Sequence, residues 1–238
     1  MRVVGWVALC ALVLPFLAQA EPACKVAVDI GHHRAAPGAT SARGVPEWSF
    51  NAPLAKMVTE ALVRQGVAAV LMNPSGDPIE LRQRTADAAA AGATLFLSIH
   101  HDSVQEKYLS TWQWQGHDQS YSDLFSGYGL FVSAKNPAFE RSQALAESVG
   151  DQLLGLGLAP SLHHAEPIPG ENRPLLDTRR GIYRYDDLIV LKYATMPALL
   201  IEAGLIVNRR DELTLAEDSA RRRFAEAVAK GVARYCRR

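Results

Sequence analysis

An α/β domain built on a parallel or mostly parallel sheet is the fold class this sequence predicts, and three observations predict it. Short apolar runs alternate with amphipathic helical stretches along most of the chain. No internal repeat, low-complexity tract or linker divides residues 24–238, so one domain fills that span. Three apolar runs also end in a residue that can hold or serve a metal: KVAVDIGH in His32, TLFLSIH in His100 and ALLIE in Glu202. Ligands of open α/β sheets bind outside the carboxyl ends of the strands, where these side chains are delivered.

Each element has its own justification. Residues 26–30 form a short apolar run closed by Gly31, as a buried strand does. Residues 47–65 read as a helix with Leu54, Val58, Ala61 and Leu62 on one face and Gly66 as its stop. A strand over 67–72 is closed by the turn signal NPSGDP, and an alanine-rich helix over 79–91 ends at Gly92. Residues 94–100 are the third strand. Residues 103–127 hold Tyr108, Trp112, Trp114, Tyr121 and Phe125 among polar residues without a clean period, and read as a long loop with room for a short helix. A strand over 128–133 and a helix over 137–156 follow. Residues 157–181 are irregular. Residues 182–194 look helical, 198–203 are the last strand and 215–235 the closing helix. The two irregular stretches are long enough to frame a cleft.

Composition excludes some functions. Of 238 residues, 48% are hydrophobic and 21% charged, which suits a packed soluble domain. Lys+Arg and Asp+Glu both number 25, so the formal net charge of +0 gives no electrostatic case for nucleic acid or a membrane surface. Residues 1–20 stand apart. Arg2 is a basic start, residues 3–17 are apolar, and Ala18-Gln19-Ala20 is a small-x-small cleavage site, which together read as a secretory signal peptide. Pro15 and the short apolar span argue against a retained membrane span after processing. Export would leave Cys24 and Cys236, near the two ends of the mature chain. An oxidising compartment favours their bridging. Cys24 precedes the first strand and Cys236 ends a helix returning to the same sheet edge, so the two can meet.

The chemistry starts from what a hydrolytic zinc centre requires, namely three protein ligands and one open position for water. His32, Glu47 and His100 are the candidate ligands, and Glu202, in an apolar strand, the candidate proton carrier. No HExxH is present. A histidine at a strand end is also commonly a hydrogen-bonded structural residue, so spacing alone leaves both readings open.

The surrounding motifs add weight. KVAVDIGH, GVPEWSFN, LRQRTADAAAAGATLFLSIHHD and MPALLIEAGLIVN resemble, in this order, the zinc-dependent N-acetylmuramoyl-L-alanine amidases, the family of the bacterial cell-division peptidoglycan amidases. Leu81, Arg84 and Ala88 match its helix element and Asn208 its late asparagine. The resemblance covers residues 26–208. It implies a mixed sheet of about six strands with helices on both faces, and a zinc amidase domain over residues 24–238. It further implies Zn2+ on His32, Glu47 and His100, with Glu202 as catalytic acid/base. The implied reaction is hydrolysis of the amide between the lactyl group of N-acetylmuramic acid and L-alanine, a substrate that an exported enzyme meets in the periplasm; a monomer is the default expectation.

Departures from the family pattern fall beside the ligands. Ile30 replaces proline, His33 a glycine, Trp48 a lysine and His101-Asp102 an Ala-Asn pair. Successive strand residues face opposite ways, so His33 and His101 are expected to be neighbours of the site rather than ligands. His163-His164 is either a substrate or extra metal contact or, as preferred here, a solvated loop. Arg179-Arg180 could meet peptide carboxylates or be a charged turn. Tyr108, Trp112 and Trp114 could stack on sugars or fix the loop to the domain. Glu106 and Glu166 could plug the cleft, although no clear inhibitory helix is visible and an open cleft is expected. A non-catalytic wall-binding or regulatory protein, and a zinc hydrolase of soluble muropeptide fragments, are the competing readings.

Overall fold

The computed structural model describes residues 24–237, and the signal segment expected at 1–20 lies outside the described residues. The elements follow in chain order: β1 (Lys25–Ile30), α1 (Trp48–Arg64), β2 (Ala68–Met72), α2 (Leu81–Ala90), β3 (Leu95–Asp102), β4 (Ser110–Trp114), β5 (His117–Tyr121), β6 (Gly129–Val132), α3 (Phe139–Gly155), β7 (Leu175–Asp177), β8 (Ile182–Arg184), α4 (Ile189–Lys192), β9 (Ala198–Leu205), α5 (Arg209–Ala216) and α6 (Asp218–Cys236).

The main sheet has seven strands in the order β2-β1-β3-β9-β6-β8-β7, one more than expected. β2, β1, β3 and β9 run parallel, β6 is antiparallel to β9, β8 is parallel to β6, and β7 is antiparallel to β8. The sheet is therefore mixed and mostly parallel. One face packs α1, α3 and α6 over Val26, Val28, Leu97 and Ile201, and the other carries α2 and α4 over Ala27, Phe96 and Leu200. Both faces are covered, so the central strands read as continuous apolar runs. Each fully buried aliphatic side chain contributes about 1.5–3 kcal/mol to holding these layers together.

Three expectations need correction. Residues 103–127 are not a plain loop: β4 and β5 form an antiparallel hairpin that pairs Trp112 with Gln119 and Trp114 with His117. Its turn is Gln115-Gly116, both at positive φ. Residues 182–194 are not one helix. Ile182 packs into one core and Tyr183 into the other, as adjacent strand residues must, and only the short α4 is helical. The closing helix starts at Asp218 rather than 215, and a separate helix α5 precedes it, because Glu217 is extended between them and the Asn208 side chain caps α5 by accepting from the Arg210 and Asp211 N–H groups.

Cys24 and Cys236 form a disulfide, with Cα atoms 5.8 Å apart, joining the start of β1 to the end of α6. Among the described residues no helix is long and apolar enough to cross a membrane.

Candidate metal centre and cleft

The site forms where β1, β3 and β9 end side by side. His32 leaves β1 with φ 64°, in the left-handed region that a branched or bulky residue rarely adopts. Arg84 of α2 holds it there. This buried guanidinium donates to the His32 carbonyl at 2.6 Å, to the Ile30 carbonyl at 2.6 Å and to Asp29 at 2.8 Å. Asp29 in turn accepts from the Ser98 hydroxyl of β3 at 2.8 Å. Burial raises the Asp29 pKa, and Arg84 works against it by favouring the ionised form. A buried ion pair thus ties the strained turn to two strands and a helix.

Glu47 precedes α1 and links both histidines. Its Oε2 lies 3.0 Å from His32 Nε2 and its Oε1 3.1 Å from His100 Nδ1. The two rings are edge to face at 4.9 Å. The Ala39 N–H and the Asn51 side-chain amide donate to the same carboxylate at 3.0 Å and 2.9 Å. Burial opposes charge on Glu47, but hydrogen bonds from His100 and His32 outweigh it and hold the carboxyl far below the usual range. Packing is tight enough to demand glycine at two points. A Cβ on Gly31 would lie 2.4 Å from the His100 ring, and one on Gly38 would lie 2.3 Å from Glu47.

The ligand-capable atoms of His32, Glu47 and His100 all lie within 4.8 Å of one another. Two imidazole nitrogens and one carboxylate oxygen are donors that suit zinc, and three protein donors leave a fourth position free for water or substrate. Glu202 of β9 stands directly across from His100 of β3 in the parallel register. Its Oε2 is buried without a partner, and burial, then the charges of Asp102 and Glu47, push its pKa well above the ordinary range. All four residues expected from the sequence are therefore brought together.

The neighbouring histidines behave differently from one another. His101 faces away from His100, is 2% exposed, and hydrogen-bonds Asn51 through Nδ1 at 2.7 Å. Burial pushes its pKa down to about 3. His33 accepts from the Ala36 N–H and lines the cleft. For His163 and His164 the expectation of a solvated loop fails. His163 is 2% exposed, and His164 lies between Asp102 at 2.8 Å and Glu171 at 2.7 Å. Burial opposes charge on His164, but these two carboxylates outweigh it and raise its pKa to about 9.

The cleft has a volume of about 530 Å³. His32, His100, His164 and Glu202 line its polar side, and Phe131, Leu188, Ile189 and Val190 its apolar side. Sequence reasoning missed this apolar wall, Asp29, Asn51 and Glu171. Two of these left a signal: Asn51 lies one helical turn after Glu47, and Asp29 is an acid inside an apolar strand. Arg180 is held by Asp151 and Asp177, which makes its turn structural. Trp112 donates to the Ala42 carbonyl at 2.7 Å and stacks on Trp114, fixing the hairpin to the domain. Glu166 accepts from Tyr108, Glu106 is exposed, and neither lines the cleft.

A convergent pair of histidines and a carboxylate, beside a buried glutamic acid in an α/β cleft, is the build of a hydrolase. The sequence profile of the N-acetylmuramoyl-L-alanine amidases matches residues 26–234, and the chain belongs to that family, enzymes that hydrolyse the amide joining N-acetylmuramic acid to L-alanine in peptidoglycan. Bacillus subtilis YqiI is 27% identical over 233 residues, covering 96% of this chain and 95% of that protein. The probable N-acetylmuramoyl-L-alanine amidase AmiB of Haemophilus influenzae is 26% identical over 229 residues, with 88% of this chain spanning 51% of that longer protein. Among solved structures, N-acetylmuramoyl-L-alanine amidase AmiC2 of Nostoc punctiforme superposes with a TM-score of 0.66 at 26% identity, covering 90% of this chain and 98% of that one.

Proposed function

We propose that this amidase works as a zinc enzyme, with His32, Glu47 and His100 holding one Zn2+ and Glu202 carrying the proton. The observation that supports this most is the convergence of three donor side chains, from two strand ends and one helix start, directly beside a buried glutamate. When bound, zinc supplies Lewis acidity, which polarises the scissile carbonyl and makes water a nucleophile at neutral pH.

The chain's own residues do the rest. Arg84 and Gly31 fix the approach of the two imidazoles, and Asn51 and the Ala39 N–H orient Glu47. Glu202 takes the proton that water loses as its oxygen bonds to the lactyl carbonyl carbon. It returns that proton to the alanine nitrogen as the C–N bond breaks, which requires a raised proton affinity. The apolar wall of Phe131, Leu188 and Ile189 seats the methyl groups of lactate and L-alanine and keeps bulk water from the reacting carbonyl.

The reading includes export of a monomer to the periplasm after removal of residues 1–20, and the Cys24–Cys236 bridge suits an oxidising compartment. Digestion of purified sacculi followed by mass spectrometry tests the specificity. The expected products are stem peptides with a free L-alanine amino terminus, lost on chelation and restored by zinc. Products cut only within the glycan or between peptides would reject it.

A further inference from the structure

A second group of metal-ligating side chains lies at the end of β3, apart from the residues already assigned. Asp102 Oδ2 sits 2.8 Å from His164 Nε2 and 3.5 Å from His163 Nε2. The ligand-capable atoms of the three residues lie within 4.8 Å of one another. We propose that Asp102, His163 and His164 form a second metal site, on the wall of the same cleft, that takes a divalent cation of the zinc class.

The histidines are built as ligands. A metal-binding imidazole typically anchors its other ring nitrogen to a carboxylate, backbone carbonyl or water, which sets the tautomer and aims the free nitrogen. Here His164 Nδ1 is held by Glu171 Oε2 at 2.7 Å, and His163 Nδ1 by the Ser161 hydroxyl at 2.8 Å. Both Nε2 atoms are left directed at one carboxylate oxygen. Glu171 is itself fixed by the Gln105 amide at 2.8 Å. The rings are clamped, His163 against Phe125 at 5.2 Å and His164 against Phe131 at 5.1 Å.

His163 Nε2 is a buried polar atom, on a residue only 2% exposed, that makes no hydrogen bond of normal geometry, its nearest polar neighbours being Asp102 Oδ2 at 3.5 Å and the Ser103 backbone. Leaving such an atom unsatisfied costs about 1–3 kcal/mol. A cation shared with Asp102 satisfies it. In the cluster His164 presents Nε2 to Asp102 and Nδ1 to Glu171, so a cation bound at Nε2 leaves the Glu171 contact in place. Two imidazoles and one carboxylate repeat the donor chemistry of His32, Glu47 and His100, so the same cation suits both sets. His164 lines the cleft, so a cation held on its Nε2 would lie at the cleft wall.

The experiment is zinc titration of the full chelator-treated chain by calorimetry, with bound zinc counted by mass spectrometry of the metal. Wild type is expected to bind two equivalents. His163→Gln is expected to keep one, and Glu47→Gln to keep the other. Glu171→Ala, which removes the carboxylate anchoring His164 together with its Gln105 contact, is expected to weaken the second equivalent 10–100-fold without moving the first. It also decides the matter should His163→Gln fail to fold by circular dichroism. A single wild-type equivalent that survives His163→Gln and Glu171→Ala, or two tight equivalents retained in both variants, overturns the second site. Two equivalents retained in Glu47→Gln would instead remove the first site and leave the second standing.

Discussion

His100 and Glu202 occupy paired positions on adjacent parallel strands, so a candidate ligand and a candidate proton carrier are set side by side by backbone register. Their relation does not depend on a loop. Substitution at either position should therefore change chemistry without disturbing placement of the other.

Glu202→Gln is close to isosteric and leaves Glu47, His32 and His100 untouched. It is expected to keep its zinc and to lose turnover by about 10²–10⁴-fold, the usual worth of a positioned acid/base. Muropeptide release and metal content, measured on the same preparation, check this. Retained activity would remove Glu202 from the reaction.

The same residue predicts a pH effect on the metal-free protein. The folded state raises the pKa of Glu202 above its unfolded value. Stability associated with the neutral acid is fully present below the ordinary glutamate range and is lost as pH rises through the folded pKa. Glu202→Gln cannot ionise and escapes that loss. Chelated wild type and variant should melt together at low pH and diverge above it, with the variant higher, in paired thermal scans.

Arg84 and Asp29 are both nearly fully buried and joined at 2.8 Å. Removing one partner leaves an uncompensated charge, so Arg84→Met is expected to destabilise the fold by about 3–5 kcal/mol in urea unfolding. It should also weaken zinc binding, because His32 loses the donor that holds its carbonyl. The double variant Arg84→Met/Asp29→Asn should recover part of the stability, since no bare charge remains.

The disulfide spans a sequence separation of 212 residues. Chain-entropy arguments set an upper stabilisation of about 5 kcal/mol for so long a closure. Cys24→Ser/Cys236→Ser should lower the melting temperature while leaving cleavage at moderate temperature intact, since the bridge lies at the opposite end of β1 from His32. An unchanged melting temperature would contradict this.

Much of the fold was legible because Val26 to Ile30, Leu95 to Ile99 and Ala198 to Ile201 are buried on both faces and so read as apolar runs. His32, His100 and Glu202 were legible as the residues ending those runs. Glu47, which lies on no strand, depended more on motif resemblance. The hairpin was hidden because His117, Asp118 and Ser120 are poor strand formers, held in place only by pairing across to the tryptophans. β8 was hidden because Ile182 and Tyr183 are buried on opposite faces and give no period. The contact of His164 with Asp102 spans 62 residues and comes from tertiary packing, which no local pattern encodes.

The most direct test is an anomalous difference map at the zinc absorption edge from crystals of the zinc-loaded chain. A peak is expected about 2.0–2.2 Å from one nitrogen each of His32 and His100 and an oxygen of Glu47, beside Glu202. Zinc-loaded crystals with no peak touching those three side chains would contradict that expectation.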